Sequence, residues 1–416
     1  MRRHRLAFAT AGALLLAACG SATTGSTATS AATATAAETI PTTLGATSTT
    51  APADWRLSAL DRARAAYGAP GAVAFLFLGD ERWAGAVGAA DLAGTRAEVA
   101  MRFRAGSITK TIVAAIILDL VDRGLVDLDQ SVEGSLPGVL RPDQPVTVRQ
   151  LLDHTSGIFD WGNAGDPVAD AAAIADPDLR AEAAGLLAAY LAEEPVRVPD
   201  RILVALAETH PRYFAAGTGW HYSNPNYQVA GMVVEAVTGQ SLASILEEAI
   251  AAPLGLESFS LAPADESSPQ LRGYALLSTD RHEPVAHPED GDLFDFTDDL
   301  SLFGNGGNGG LLTTAEDLGR FFRDLLAGRV LAPRLLEEMK EASAPAHSLG
   351  IGYGLGLLAV ELSCGTFYGH DGSVNGTASI ALADEDGSRV VVVAMNATTA
   401  IFPLASLADR LVCGSA

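Results

Sequence analysis

Hydrophobic runs of strand length lie at both ends of the folded part of this chain, and helical patterning fills the middle. Residues 54–67 read as a helix stopped by Gly68-Ala69-Pro70-Gly71. The short apolar run at 72–78, closed by Gly79-Asp80, predicts a strand, and a returning strand at 83–92 completes a hairpin. After Ser107 the run Ile112 to Leu118 is apolar on nearly every side, which predicts a buried helix ending at Asp122-Arg123-Gly124 with glycine in the capping position. Helices then dominate to about residue 300: near 148–152, an acidic Ala-rich stretch at 166–207, 227–237 and 241–251, with another at 315–326. Strand character returns at 353–362, 366–370, 377–383 and 389–396, and 402–412 reads as a closing helix. Strands at the two ends with helices between them predict an α+β fold. One antiparallel sheet would be formed by the N- and C-terminal segments (about 54–124 and 310–416) and flanked by helices, with a mostly helical region, about 125–309, inserted. The acidic stretches 160–200 and 283–299 read as solvated insertions or loops. The glycine-rich run 304–310 lacks the Lys-Ser/Thr of a phosphate loop and reads as a flexible loop.

The first residues, Met1-Arg2-Arg3-His4-Arg5, precede an apolar stretch at 6–18 that is shorter than the ~20 residues needed to span a bilayer. This is the pattern of an export signal. Leu16-Ala17-Ala18-Cys19 resembles a bacterial lipobox, which implies a signal peptide over 1–19, cleavage before Cys19 and lipid attachment to it; the alternative is a plain secretory signal with an incidental cysteine. Residues 20–53 are almost all Ala, Thr, Ser, Gly and Pro and cannot bury enough surface to fold, so they read as a tether to a folded body at 54–416. The expected location is therefore extracytoplasmic, with the membrane touched only through the lipid. A formal charge of −23 and the absence of a basic cluster argue against nucleic acid as a partner. Cys364 and Cys413 would lie in an oxidising compartment, as a disulfide pinning the C-terminus or as two buried thiols.

Charge usage singles out one position. Only two lysines, Lys110 and Lys340, occur against 25 arginines, and Lys110 follows Ser107 by three residues. A lysine can be neutralised by burial, which a guanidinium cannot. With Ser107 near a helix N-cap, both side chains share a face, and a dehydrated amine can take the hydroxyl proton. The bland reading is a capping serine with a surface lysine. Tyr222 and Asn224 lie two apart in a Pro-containing turn, and Phe367-Tyr368-Gly369-His370-Asp371-Gly372 places a polar pair and a glycine at the end of a late strand.

Taken in order, Ser107-x-x-Lys110, Tyr222-Ser223-Asn224 and His370-Asp371-Gly372 resemble the three motifs of the serine β-lactamase and penicillin-binding superfamily, in the branch of class C β-lactamases and D-alanyl-D-alanine carboxypeptidases. Gln150-Leu151-Leu152-Asp153-His154-Thr155-Ser156-Gly157, Gly309-Gly310-Leu311 and Gly352-Tyr353-Gly354 resemble the same family. The resemblance implies that Ser107 is the nucleophile, Lys110 and Tyr222 handle protons, and Asn224 binds the acyl-side amide. The oxyanion would sit on the backbone N–H groups of Ser107 and Ser373, and His370, Asp371 and Gly372 would line the substrate site. Beside Lys110 the phenol of Tyr222 is expected to shift towards phenolate. His154 is expected to be structural, bonding the loop backbone, and no metal or cofactor is expected, since His210, His221, His282, His287 and His347 lack ligand spacing.

The resemblance implies a serine hydrolase working through an acyl-enzyme, with small-molecule or peptide substrates. Carboxypeptidase action on peptidoglycan stem peptides is the leading expectation, ahead of a carboxylic-ester hydrolase, a β-lactamase and a binding module without turnover. Asp371 bears on this choice: members of the resembled family that act on D-alanyl-D-alanine ends usually have Thr or Ser there to bind the substrate carboxylate. An acidic residue facing the cleft would instead favour neutral esters, amides or amine-bearing substrates.

Overall fold

The hairpin at the start of the body joins the strands at its end in one sheet. The computed structural model describes residues 54–414 apart from 164–166, 193–195, 262–268, 280–284, 286, 298–305, 375 and 400–403. The expected leader and tether, with Cys19, lie outside the described residues. The main sheet contains β1 (Gly71–Leu78), β2 (Glu81–Gly88), β3 (Leu358–Leu362), β4 (Gly365–Val374), β5 (Thr377–Asp384) and β6 (Arg389–Met395). Its order is β2-β1-β6-β5-β4-β3, with every neighbouring pair antiparallel.

Five helices cover the sheet or build the cleft beside it: α1 (Trp55–Ala66), α2 (Thr109–Asp122), α3 (Asn224–Thr238), α4 (Ala315–Leu326) and α5 (Leu404–Cys413). Both faces of the central strands are covered, which is why β1 is an unbroken apolar run. Val73, Phe75 and Phe77 join α2 and α4 in the larger core, while Ala72, Ala74 and Leu76 pack with α1 and α5. The α+β architecture read from the sequence is the one observed.

Three segments depart from their sequence reading. The acidic stretch 283–299 contributes a strand, Asp292–Asp295, paired with Tyr274–Leu277. Its acidic ends, Asp292 and Asp295, are exposed while its backbone completes a ladder, so charge there reported side-chain solvation and not backbone pairing. In the stretch 160–200 the departure is Asp160, which is only 3% exposed and not solvated, whereas the helices at Pro167–Ala173 and Pro177–Leu191 fall within the helical stretch read at 166–207. The strand expected at 353–362 is regular only from Leu358; Tyr353 meets it through an isolated bridge to Leu358.

Two close approaches bring the Ser107 turn to the sheet. The two-residue strand Phe103–Arg104 pairs with Leu311–Thr313, and Ala105 N–H donates to Leu311 O at 2.9 Å. Gly106 then takes φ +57°, and a Cβ there would lie 2.9 Å from the backbone nitrogen of Ser373. A Cβ on Gly372 would lie 1.9 Å from the carbonyl oxygen of Ala105. Only glycine at both positions lets the turn and β4 interlock. At the far end of the sheet, Cys364 and Cys413 form a disulfide with a Cα separation of 5.5 Å, tying the β3–β4 hairpin to the end of α5.

Two outcomes are expected. Replacing both cysteines by serine should lower unfolding free energy by about 2–4 kcal/mol in a denaturant titration, and an unchanged midpoint would show that the bridge adds nothing. Gly372→Ala should keep native circular dichroism yet slow acylation of Ser107 about 100-fold, because the added carbon displaces β4 from the turn; acylation at the parent rate would rule out the interlock.

Candidate active site

Ser107 lies in a short 3-10 turn, Gly106–Ile108, that runs directly into α2. Its hydroxyl does not cap the helix as the sequence suggested. Thr109 takes the local backbone instead, donating to Gly106 O at 2.7 Å and accepting from Leu311 N–H at 3.0 Å. The Ser107 hydroxyl is thereby left to Lys110 and Tyr222.

Lys110 is completely buried, in the first turn of α2 and three residues after Ser107. Nζ reaches Ser107 Oγ at 3.0 Å, Asn224 Oδ1 at 2.9 Å and Asn308 O at 2.7 Å. The two amide oxygens can only accept, so they hold two N–H bonds of Nζ in any protonation state. The third direction faces a hydroxyl, which can donate or accept. Loss of one proton therefore turns the same 3.0 Å contact from Lys110 donating into Ser107 donating. Burial brings the amine down to about 7, opposed by the charges of Asp160 and Asp371.

Tyr222 departs from the expected shift towards phenolate. Burial, then the neighbouring Tyr353, hold its hydroxyl well above the usual phenol value; Asp371 and Asp160 add to this, and the bond to Ser107 offsets only part. The ammonium lies 4.9 Å from the centroid of the Tyr222 ring, yet it is itself near its titration point and cannot outweigh dehydration. Tyr222 and Asn224 do face one centre. Tyr222 lies in the extended lead-in to α3, and Asn224 occupies its first turn. The Asn224 amide is oriented from both ends, with Oδ1 on Lys110 and Nδ2 towards the Asp160 carboxylate at 3.3 and 3.4 Å.

On β4, His370 is buried with Nδ1 bonded to Asp371 O and Nε2 to the Tyr353 hydroxyl at 3.1 Å. A carbonyl only accepts, so Nδ1 carries the proton and Nε2 accepts from Tyr353. Burial, with Lys110 nearby, pushes the imidazole down to about 3, and it is neutral. Asp371 is only partly exposed: its carboxyl shares the field of Lys110, Tyr222 and Tyr353, and 18% of its side chain meets solvent. Burial pushes this carboxyl up to about 6, against its own backbone N–H and Lys110. Gly372 and Ser373 follow at the interlock, which brings the Ser373 backbone nitrogen to the Gly106–Ser107 turn.

Four participants carried no assigned role in the sequence reading. Asn308 acts through its carbonyl, which every residue type possesses, and its glycine-rich surroundings read as a flexible loop; residues 306–308 are instead a 3-10 turn packed on α3. Asp160 opened a stretch that looked solvated. Tyr353 stood in a Gly-Tyr-Gly run, and Gly106 was an unremarked neighbour of the serine; both needed the partner segment to acquire meaning.

Known proteins resemble this chain over most of its described length. The family described as beta-lactamase matches residues 57–413. Esterase EstB of Burkholderia gladioli is 31% identical over 62% of this chain and 67% of its own, and penicillin-binding protein 4 of Amycolatopsis lactamdurans is 28% identical over 70% of each. Among solved structures, a D-stereospecific amidohydrolase from Streptomyces sp. superposes with a TM-score of 0.69 at 33% identity, covering 87% of this chain and 98% of that one. With the match spanning nearly the whole described body and its fold, the chain belongs to the beta-lactamase family of serine hydrolases.

Proposed function

We propose that this chain hydrolyses esters or amides that are neutral or carry an amine, through an acyl-enzyme on Ser107. The observation that carries the reading is the partly exposed Asp371 carboxyl, 3.7 Å from the ring of a neutral His370 and in the field of Lys110. A substrate carboxylate approaching within a few ångström of an ionised Asp371 would meet a repulsion of about 1–4 kcal/mol over the usual range of effective dielectric. An ammonium would gain by a similar amount. The similarities to an esterase and to a D-stereospecific amidohydrolase support the same class.

In this mechanism neutral Lys110 accepts the proton of Ser107 Oγ as the oxygen attacks the substrate carbonyl carbon. The developing alkoxide is held by the N–H groups of Ser107 and Ser373, worth about 3 kcal/mol each in a dry site. Tyr222, kept protonated by its surroundings, gives a proton to the departing alkoxide or amine as the tetrahedral adduct collapses, and the Lys110 ammonium supplies the replacement. Asn224 turns its remaining amide N–H to the acyl side. Water then repeats the sequence on the acyl-enzyme, with Lys110 and Tyr222 acting as one titrating pair.

Carboxypeptidase action on peptidoglycan stem peptides is the second reading, favoured by the likeness to penicillin-binding protein 4. An exported, lipid-anchored body on a flexible tether would suit either activity.

Acylation by a p-nitrophenyl ester should rise with pH through about 7 as Lys110 loses its proton. Asp371→Asn should move that limb to lower pH, since Asp371 favours the ammonium, and Lys110→Arg should abolish the limb with at least a 1000-fold loss. A pH-independent parent rate, or normal acylation by the arginine variant, would refute Lys110 as the proton acceptor. Asp371→Thr should raise kcat/KM for a D-alanyl-D-alanine peptide at least tenfold relative to the ester. If that ratio stays put, Asp371 does not select against carboxylates.

A further inference from the structure

His154 is buried to zero exposure and is the one non-glycine among the described residues with positive φ, at 61°. Its hydrogen bonds reach the segment that carries Tyr222, and they reach it on both sides of that residue. The carbonyl oxygen of His154 accepts from His221 N–H at 3.1 Å, and its Nδ1 accepts from Ser223 N–H at 3.2 Å. Between those two anchors the imidazole lies against the phenol ring, with centroids 4.3 Å apart and planes tilted by 36°.

A chain of hydrogen bonds sets the imidazole tautomer. Ser156 Oγ accepts from Ile158 N–H and so donates to Asn226 Oδ1. That bond turns Asn226 Nδ2 towards His154 Nδ1, at 3.0 Å. Two donors converge on Nδ1, so the ring proton resides on Nε2 and Nδ1 is available to Ser223. Tyr222 needs such support. It precedes α3 in an extended stretch, with Ser223 at φ −145° and ψ 120°, and so lacks the hydrogen bonds of a helix.

We propose that His154 is a positioning residue for acyl transfer, holding the Tyr222 hydroxyl at Ser107 by clamping the backbone on either side of Tyr222 and backing its ring. The inference rests on the role assigned to Tyr222 under the proposed function. A residue needed only for a left-handed turn would make no use of the ring, and glycine would serve as well or better at φ 61°.

His154→Gly provides the test because it keeps the turn and the carbonyl acceptor while removing the ring and Nδ1. With p-nitrophenyl ester as substrate, kcat should fall about 10- to 100-fold, with KM changed by less than about threefold, and added imidazole should restore part of the rate. His154→Asn, which tolerates the left-handed region and retains an acceptor, should lie between the parent and His154→Gly, and it carries the test if the glycine variant does not fold by circular dichroism. In a Tyr222→Phe background His154→Gly should cause little further loss, because both act through one hydroxyl. Parent-like kcat in the folded glycine variant, or in the asparagine variant if that one alone folds below the parent's stability, would overturn the proposal. So would a loss that adds in full to that of Tyr222→Phe. If Tyr222→Phe itself retains the parent rate, the role of Tyr222 is what fails, and the positioning role of His154 goes with it.

Discussion

The amine of Lys110 has been removed from water and surrounded by oxygens, and the rest of the site depends on that choice. α2 is buried on nearly every side, so the lysine has no route to solvent along its own helix. Its three partners come from three parts of the chain: the turn at Ser107, the first turn of α3 at Asn224 and the 3-10 turn at Asn308. Dehydration lowers the amine from 10.5 to about 7. Because the folded value lies below the unfolded one, the unfolded chain holds the extra proton between those limits. The contribution of Lys110 to stability therefore rises with pH across that window and is flat below it. A group that weakens the fold at neutral pH is retained where it can exchange a proton with Ser107.

Charge around the amine is arranged so that it remains the responsive group. Asp160 and Asp371 hold its value up, while Tyr222 and His370 are kept neutral by burial. Asp160 also acts through geometry: it faces the amide nitrogen of Asn224 and so commits the opposite end of that amide to Lys110. Asp371 has a different position, beside His370 on β4 and partly exposed, where its charge also acts on the lysine. One carboxyl thus acts on the amine with its geometry as well as its charge, and the other through its charge.

Much of this was legible in one sequence where the signal was local. The apolar run of β1 and the buried character of α2 follow from composition over a few residues. Ser107, Lys110, Tyr222 and Asn224 could be picked out because their side chains are chemically distinctive and sit in short motifs that, in order, resemble those of a known family. Asn308 could not, because its contribution is a carbonyl. Asp160 could not, because a carboxylate beside other acidic residues has the same letter whether it is solvated or buried. The Tyr222 shift was misjudged for a related reason: proximity to a cation was visible, but the dehydration that opposes it is a property of the packed interior.

What the sequence determined by itself was the class of fold and the interval in which each motif lies, since periodicity and side-chain chemistry are carried residue by residue. Tertiary structure alone decided that Gly106 and Gly372 interlock, that Asp371 is partly exposed beside His370, and that His154 brackets Tyr222. Each of those depends on a distance between segments tens to hundreds of residues apart. Such distances are set by how both faces of the sheet pack, which no local pattern encodes.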